Sequence, residues 1–213
     1  MKNLEIEYKW QAQTPRAFSR ARRVLTKLCG SVRFEKLNIQ DVYLDHAEAD
    51  LSAQKIALRV RNTDGKWEAT FKTRTQLKNG KATRQEATLP LPNVKNIKQA
   101  LQILAQKKKW KGICLIGVEP VFKIKNKRTV CLFKYDGTCL EMALDNVTIY
   151  ALRHSLKMKE IELELKRGKQ EALDKFATIF SQQTQLLQAK NSKVKTAEKF
   201  LSALKNKKCQ IKK

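Results

Sequence analysis

Three carboxylates recur at every second position in the segment 159–166, where Glu160, Glu162 and Glu164 alternate with aliphatic residues. Successive side chains of a β-strand point to opposite faces, so these carboxylates would share one face of a strand. Like charges at this spacing repel. If the face is open to water, salt screens the repulsion and the segment is an ordinary half-exposed strand. If the face is enclosed, cations must compensate it.

Most other alternating segments also carry charge on one face. Their acidic positions are Glu5, Glu7, Glu141 and Asp145, and their basic positions are Lys9, Arg59, Arg61, Lys72, Arg84, Lys123 and Lys125. Mg²⁺ prefers carboxylate oxygens together with substrate phosphates, whereas Arg and Lys match the remaining phosphate oxygens. If these faces meet in one cavity, the mixture suits a highly charged anion bridged to divalent cations.

The elements that would hold these residues are mainly strands with polar turns between them. Alternation predicts strands at 4–10, in several segments between 32 and 89, and at 118–125, 128–135, 139–147 and 157–166. The dipeptides Asp64-Gly65, Asn79-Gly80 and Asp136-Gly137 are typical of hairpin turns.

Four segments show helical spacing of apolar residues. Thr14 and Pro15 supply a candidate N-cap and first residue for a helix that ends before Gly30. The other predicted helices cover about 97–104, 171–180 and 194–204. The basic stretch 107–109 is interpreted as solvated surface, and 205–213 as a mobile basic tail without periodicity.

An antiparallel set of about eight strands can close into a barrel, in which alternation sends one face of every strand to the interior. The apolar stripes of the helices need an apolar surface to cover, and the aliphatic and aromatic face of the strands is the candidate. The charged face would then line the lumen. The predicted fold is therefore α+β, a closed eight-stranded antiparallel barrel with helices packed outside.

Composition limits the class of protein. The chain has 213 residues, 42% of them hydrophobic and 31% charged, which favours one folded domain at 1–204 followed by the tail 205–213. The sequence shows neither an apolar signal core nor a membrane span. Its five cysteines are an odd number and favour reduced thiols, and with only two histidines no zinc site is expected. A cytoplasmic location is expected. The formal net charge of +25 indicates polyanionic partners.

The motifs in this order resemble a known family. Glu5-x-Glu7-x-Lys9 is similar to the ExExK signature that opens CYTH domains, also called the triphosphate tunnel metalloenzyme fold. The resemblance continues in chain order through Tyr43-x-Asp45, Ala57-Leu58-Arg59-Val60-Arg61, Thr70-Phe71-Lys72, Arg84-x-Glu86, Arg128, Glu141-x-x-x-Asp145, Glu160-Ile161-Glu162-Leu163-Glu164, Ser192-Lys193 and Ala197-Glu198-Lys199. A lone ExExK arises by chance, whereas this ordered set is specific.

The resemblance implies roles for individual residues. The metal-binding candidates, for Mg²⁺ or Mn²⁺, are Glu5, Glu7, Glu141, Asp145, Glu160, Glu162 and Glu164. The triphosphate-binding candidates are Lys9, Arg59, Arg61, Lys72, Arg84, Lys123, Lys125, Arg128 and Lys193. Glu5, Glu7 and Lys9 are the catalytic candidates, with the Glu160 strand as an alternative source of a base. Lys125 and Arg128 are three positions apart, so they lie on opposite faces of a regular strand. Both point inward only if a bulge or turn near Asn126 shifts the register of the strand.

The implied function is metal-dependent hydrolysis of inorganic triphosphate or another triphosphate-containing substrate, including short polyphosphate. Class IV adenylate cyclase and thiamine triphosphatase activities share the fold, and no motif identifies a nucleoside or thiamine pocket. A non-catalytic module that binds polyphosphate or RNA is the alternative of another class. The sequence does not favour a nucleic-acid partner, and it predicts no membrane partner. It is compatible with a homodimer.

Overall fold

The computed structural model of the chain describes residues 3–73, 76–78, 81–110 and 112–211, with side chains from 4 to 206 except those of 76–78, 82 and 84. Its strands are β1 Asn3–Gln11, β2 Glu35–Asp45, β3 Ala57–Thr63, β4 Lys66–Lys72, β5 Gln76–Lys78, β6 Lys81–Pro90, β7 Lys109–Trp110, β8 Ile113–Cys114, β9 Glu119–Tyr135, β10 Thr138–Ala151 and β11 His154–Arg167. Its helices are α1 Ala17–Cys29, α2 Asp50–Ala53, α3 Ile97–Gln106, α4 Gln170–Thr184 and α5 Lys193–Ile211.

Eight of the described strands form a closed ring. Their order is β1-β11-β10-β9-β2-β3-β4-β6, and a further pairing between β1 and β6 joins the two ends. Neighbours in the ring are antiparallel. The short strand β5 pairs with β6, and β7 with β8 forms a separate hairpin. The prediction of a closed eight-stranded antiparallel barrel is confirmed.

Two of the predicted hairpin turns adopt the backbone that their sequences favour. Asp64 and Gly65 have φ of 47° and 90°, and Asp136 and Gly137 have φ of 50° and 70°. Positive φ at both central residues defines the type I′ turn, whose twist matches that of the flanking strands. The predicted Asn79-Gly80 turn lies outside the described residues.

Helices cover the apolar outer face of the barrel. Helices α1 and α4 form one cluster with β1 and β9–β11, in which Trp10, Leu25 and Phe176 are fully buried. Helix α3 covers the opposite side of the ring, where Leu58 and Leu104 are likewise fully buried. Because these helices take the apolar face, the charged face of the strands is left to the lumen.

Helix α5 packs on the other face. Its Ala197 and Leu201 form a cluster with Ile124, Val147 and Ile149, which share strand parity with the lumenal residues of β9 and β10. Beyond the charged positions the lumenal face of these long strands becomes apolar, so an amphipathic helix can cover it. The helix therefore covers the lumenal face of β9 and β10 next to the charged positions. Its backbone remains helical to Ile211, inside the segment 205–213 that was predicted to lack regular structure.

The boundaries of several elements differ from the prediction. Helix α1 begins at Ala17, with Arg16 at the N-cap, so Thr14 does not cap it. The strands predicted at 118–125 and 128–135 are one strand, β9, without a register shift near Asn126. The short elements α2, β7 and β8 were not predicted because they are too short for a hydrophobic period. The lysines of 107–109 are exposed, as expected.

Candidate active site

The barrel encloses a cavity of about 390 Å³ lined mainly by charged side chains. Period-two alternation brings them inward: Glu5 and Lys9 from β1, Asp41 from β2, Arg59 and Arg61 from β3, Glu68 and Lys72 from β4, Glu86 from β6, Arg128 from β9, Glu141 from β10, and Glu162, Glu164 and Lys166 from β11. Glu7, Asp145 and Glu160 share the inward face of their strands and are buried beside this lining. Lys193 enters from the first residue of α5. The lumen therefore has an ionic lining.

A buried acidic cluster occupies neighbouring strands. Asp145 of β10 lies directly opposite Glu160 of β11, and Glu162 follows two residues later on the same face. Each offers a carboxylate oxygen within 4.8 Å of the other two. Ala143 is the cross-strand neighbour of Glu162, and its small side chain leaves space beside that carboxylate.

Three cations compensate this cluster. Lys193 Nζ lies 2.8 Å from Asp145 Oδ2 and 2.9 Å from Glu162 Oε1, and it also contacts Glu160. Arg128 donates a bidentate pair to Asp145, with Nε–Oδ1 of 2.8 Å and Nη2–Oδ2 of 2.7 Å. Arg128 and Lys9 both donate to Glu162. Cations from three parts of the chain therefore converge on three carboxylates.

Proton affinities in the cluster follow from burial and charge. Burial disfavours the charged form of Glu162, but Lys193, Lys9 and Arg128 outweigh burial and hold the pKa of this carboxyl well below its ordinary value. The pKa of Asp145 is lowered in the same way by Lys193 and Arg128. At Glu160 burial prevails over Lys193 and raises the pKa to about 7. The three carboxyls therefore differ in proton affinity although they touch the same ammonium group.

The acidic cluster fits a hard divalent cation. The side chain of Glu160 is 1% exposed, and its Oε1 contacts Lys193, whereas its Oε2 has neither a hydrogen bond nor an ion pair among the described residues. A buried carboxylate oxygen without a hydrogen bond is costly unless a cation satisfies it. Oxygen ligands of this kind suit Mg²⁺ or Mn²⁺ better than zinc, which takes mainly Cys and His ligands.

A cationic wall stands on the opposite side of the ring. In the closed ring of eight strands, β3 lies opposite β11 and β4 lies opposite β10, because each pair is four positions apart. Arg61 donates a bidentate pair to Asp41 at 2.7 and 2.8 Å, and Arg59 Nη1 lies 3.7 Å from the same carboxylate. Burial raises the pKa of Asp41, yet the two arginines prevail and lower it to about 2. Lys72 extends this wall on β4.

Strand β1 connects the acidic cluster with the cationic wall. Glu7 Oε1 lies 3.1 Å from Lys9 Nζ, and Glu5 Oε2 lies 3.4 Å from Lys72 Nζ. Lys72 also contacts Glu86 of β6. Burial lowers the pKa of Lys9, but Glu162 and Glu7 more than reverse this, so the net pKa is raised and Lys9 stays protonated at neutral pH. All three predicted catalytic candidates thus lie in the lumen.

Glu164 and Glu141 lie further along the lumen than the acidic cluster. They face each other across β10 and β11, with Lys166 Nζ at 3.0 Å from Glu164 and 3.8 Å from Glu141. Burial raises the pKa of Glu164 to about 7. Lys166 is 38% exposed at its side chain, so this group lies near an opening.

Two predicted phosphate ligands do not face the cavity. Lys123 and Lys125 alternate with Ile124 and Asn126, which line it, so both lysines lie on the outer face of β9. The bulge near Asn126 that would have turned Lys125 inward is absent from the described register of β9 and β10, and Arg128 takes the inward parity instead. The side chain of Arg84 lies outside the described residues; its backbone pairs with Glu5.

The structure also adds residues that were not proposed for the site. Asp41, Glu68, Glu86 and Lys166 line the cavity. Their alternation with apolar neighbours was the available signal, since Asp41 has the parity of Tyr43, and Glu86 that of Arg84. Tyr43 is buried and stacks on Phe122 at a centroid distance of 4.7 Å, which agrees with a packing role.

Comparison with known proteins identifies the family of the chain. Residues 3–197 match the sequence profile of the CYTH domain, and the chain belongs to that family.

Individual relatives agree with this assignment. An inorganic triphosphatase from Haemophilus influenzae is 28% identical over 137 residues, 63% of this chain and 38% of that relative, so the chain spans about two fifths of its length. A Pyrococcus horikoshii protein shares 20% identity with a TM-score of 0.63 over 92% of this chain and 98% of that one. A Hippeastrum protein reported with a dominant triphosphatase activity shares 18% identity with a TM-score of 0.64 over 92% and 95%. At such identities the two structures show a common fold.

Proposed function

We propose that the chain hydrolyses triphosphate compounds inside the barrel with the help of a divalent cation. The observation that carries this proposal is the division of the lumen. The buried carboxylates Asp145, Glu160 and Glu162 lie across the ring from the strands of Arg59, Arg61 and Lys72. A phosphate chain between the two walls has cations on one side and metal ligands on the other.

Asp145, Glu160 and Glu162 would hold the Mg²⁺ or Mn²⁺ ion, and Glu5, Glu7, Glu141 and Glu164 are further candidates in the same lumen. The ion, when bound, polarises a phosphoryl oxygen and makes water more acidic. Because the chain supplies several buried carboxylates and the described ligand cluster contains neither His nor Cys, its chemistry favours Mg²⁺ or Mn²⁺.

The basic side chains would position the phosphates and neutralise their charge. Arg59, Arg61 and Lys72 offer planar and point-charge donors from one wall, and Lys9, Arg128 and Lys193 offer them from the other. In the structure all six of these cations pair with carboxylates. With a divalent cation held by the carboxylates, these basic side chains would be available to phosphate oxygens, so each group would keep a partner of opposite charge.

Lys9 would act as a fixed cation rather than as a base, because Glu162 and Glu7 favour its protonated form. The base that receives the proton of the attacking water would then be a carboxylate. Glu5 and Glu7 on β1 are the candidates, with the Glu160 strand as the alternative.

The relatives support the triphosphate class of substrate. The Haemophilus influenzae relative is an inorganic triphosphatase, and the Hippeastrum protein is reported with a dominant triphosphatase activity. We also propose a cytoplasmic location, because Cys29, Cys114, Cys131 and Cys139 are free thiols. Among the described helices none is long and apolar enough to cross a bilayer.

The test is phosphate release from inorganic triphosphate, ATP and thiamine triphosphate, measured side by side with Mg²⁺, with Mn²⁺ and with a chelator. Glu162→Gln removes a carboxylate of the cluster and keeps its size, and we expect a loss of turnover of at least about 10²-fold. Glu171→Gln is the matched control, because Glu171 is exposed on α4. Release that the chelator and Glu162→Gln abolish supports the proposal. Absence of release from all three compounds overturns it, and cyclic AMP formed from ATP would indicate a cyclase.

A further inference from the structure

The positive charge of the chain lies outside the barrel. The described lumen contains more carboxylates than cations: Glu5, Glu7, Asp41, Glu68, Glu86, Glu141, Asp145, Glu160, Glu162 and Glu164 against Lys9, Arg59, Arg61, Lys72, Arg128, Lys166 and Lys193. The formal net charge is nevertheless +25. The active site therefore cannot account for the basic character of the chain, and the outer surface has its own charge pattern.

Lysines lie in three rows across the outer face of the long strands β9, β10 and β11. Lys127 and Lys159 flank Asn146 across the three strands, and Lys125 and Lys157 flank Thr148 in the next row. A third row places Lys123 beside Tyr150 and Ser155. The outward positions of these rows include no carboxylate. Salt bridges within the rows are therefore excluded, and the lysine charge faces solvent.

A groove of about 1000 Å³ lies against this surface, where β1 ends at Gln11 and β11 continues. Lys125, Lys127, Lys157 and Lys159 line it, and Lys190 joins them from the segment before α5. Among the described lining residues Glu160 is the only carboxylate, and it is 1% exposed because its side chain belongs to the lumen. The groove is therefore concave and cationic. Asn146, Thr148 and Tyr150, which lie between the lysines on β10, can donate and accept hydrogen bonds.

The spacing of the lysines fits a polymer rather than a single anion. Lysines at alternate positions of one strand lie about 6.7 Å apart, and the two lysines of one row, which lie two strands apart, are separated by roughly 9.5 Å. One phosphate group cannot contact all of these charges, whereas an extended chain of phosphates can. The exposed Tyr150 adds an aromatic ring, with Lys125 Nζ at 5.7 Å from its centroid. Lysines that follow a phosphate backbone together with an aromatic ring that stacks a base are the features of single-strand binding grooves.

We propose that this outer groove, defined by Lys125, Lys127, Lys157, Lys159 and Tyr150, binds single-stranded nucleic acid. The lysines contact the backbone and Tyr150 stacks on a base. The five side chains that define the groove lie on the outer face of the strands, whereas Glu160, which also borders the groove, directs its carboxylate into the lumen. Occupancy of the groove does not depend on the proposed hydrolysis, so failure of one proposal leaves the other standing.

The test is binding of a fluorescent oligouridylate of about 16 nucleotides, measured by anisotropy from about 50 to 200 mM salt. The oligonucleotide has a 5′-hydroxyl end, so the triphosphate site has nothing to bind. The test variant replaces Lys125, Lys127, Lys157 and Lys159 by Gln. The control variant replaces Lys66, Lys95, Lys98 and Lys107, which are exposed elsewhere and remove the same charge. Thermal unfolding checks that both variants fold.

For single-stranded nucleic acid, each phosphate contact removed reduces the slope of log binding constant against log salt concentration by about 0.7. The test variant should therefore lose about 3 in this slope and about 10²-fold in affinity at 0.1 M salt. The control variant should change both much less. Tyr150→Ala should weaken binding at all salt concentrations, and Tyr150→Phe should restore it. Equal losses in the two lysine variants would show attraction by overall charge and overturn the proposal. Binding of inorganic polyphosphate without binding of the oligonucleotide would overturn it as well.

Discussion

Replacement of Lys193 by Met should destabilise the metal-free protein and make its stability depend on divalent cation. The ammonium group of Lys193 contacts all three carboxylates of the buried cluster. Lys193→Met keeps most of the side-chain volume and removes the charge. Asp145, Glu160 and Glu162 then face only Lys9 and Arg128 among their described partners, so one carboxylate charge is left uncompensated.

The size of the effect follows from burial. Loss of one partner from a buried ion pair costs about 3–5 kcal/mol, and the 14% exposure of the Lys193 side chain places the expected value near the lower end, at about 3 kcal/mol. A chain of this length loses about 2–4 °C in Tm per kcal/mol, so the variant should melt roughly 6–12 °C below the wild type in chelator. A cation at about 100 times its Kd returns about 2.7 kcal/mol.

The assay is thermal unfolding in chelator and in a series of Mg²⁺ and Mn²⁺ concentrations. Metal should raise the Tm of Lys193→Met more than that of the wild type, because in the wild type the ion must displace the ammonium group from the same oxygens. Lys195→Met is the matched control, since Lys195 lies on the same helix, is exposed and pairs with Glu198. Equal melting of variant and wild type in chelator, or an equal metal shift in both, would refute the reasoning.

Three further predictions concern stability. Asp41→Asn should cost about 2 kcal/mol at neutral pH, because the arginine partners lower the pKa of Asp41 from 3.8 to about 2. This contribution is complete above about pH 4 and is lost as the pH falls toward 2, so urea unfolding across that window should converge for variant and wild type. Phe176→Ala should lower the free energy of unfolding by about 3–5 kcal/mol in urea, because the ring is fully buried. Gly168→Ala should cost about 1–3 kcal/mol in the same assay, since φ is 118° and a Cβ would meet Thr138 Oγ1 at 2.8 Å; an unchanged midpoint would contradict this.

The faces of the strands could be predicted from local sequence. Alternation has a period of two in every strand, so Glu160 and Glu162, or Arg59 and Arg61, must share a face wherever the strand lies. The apolar alternate positions show which face the helices cover. These two facts were sufficient to predict an ionic lumen in a closed barrel, and the Asp-Gly turns followed from the backbone that Gly permits.

The parity of β9 could not be predicted in the same way. The prediction placed Lys125 and Arg128 on one face by assuming a reset near Asn126, but the strand continues without a break. A bulge depends on the register against both neighbouring strands, and local sequence contains little of that information. The consequence is large, because Lys123 and Lys125 move from the lumen to the outer surface.

The position of α5 was also decided by tertiary structure. Its sequence shows an apolar stripe but does not say which apolar surface the stripe covers, and the helix covers the lumenal end of β9 and β10. This packing brings Lys193 onto carboxylates that lie 31 to 48 positions earlier in the chain. Local periodicity determines which residues share a face, because each element repeats its own geometry. Closure of the ring and the packing of its ends determine which faces meet, because they depend on contacts between residues far apart in the chain.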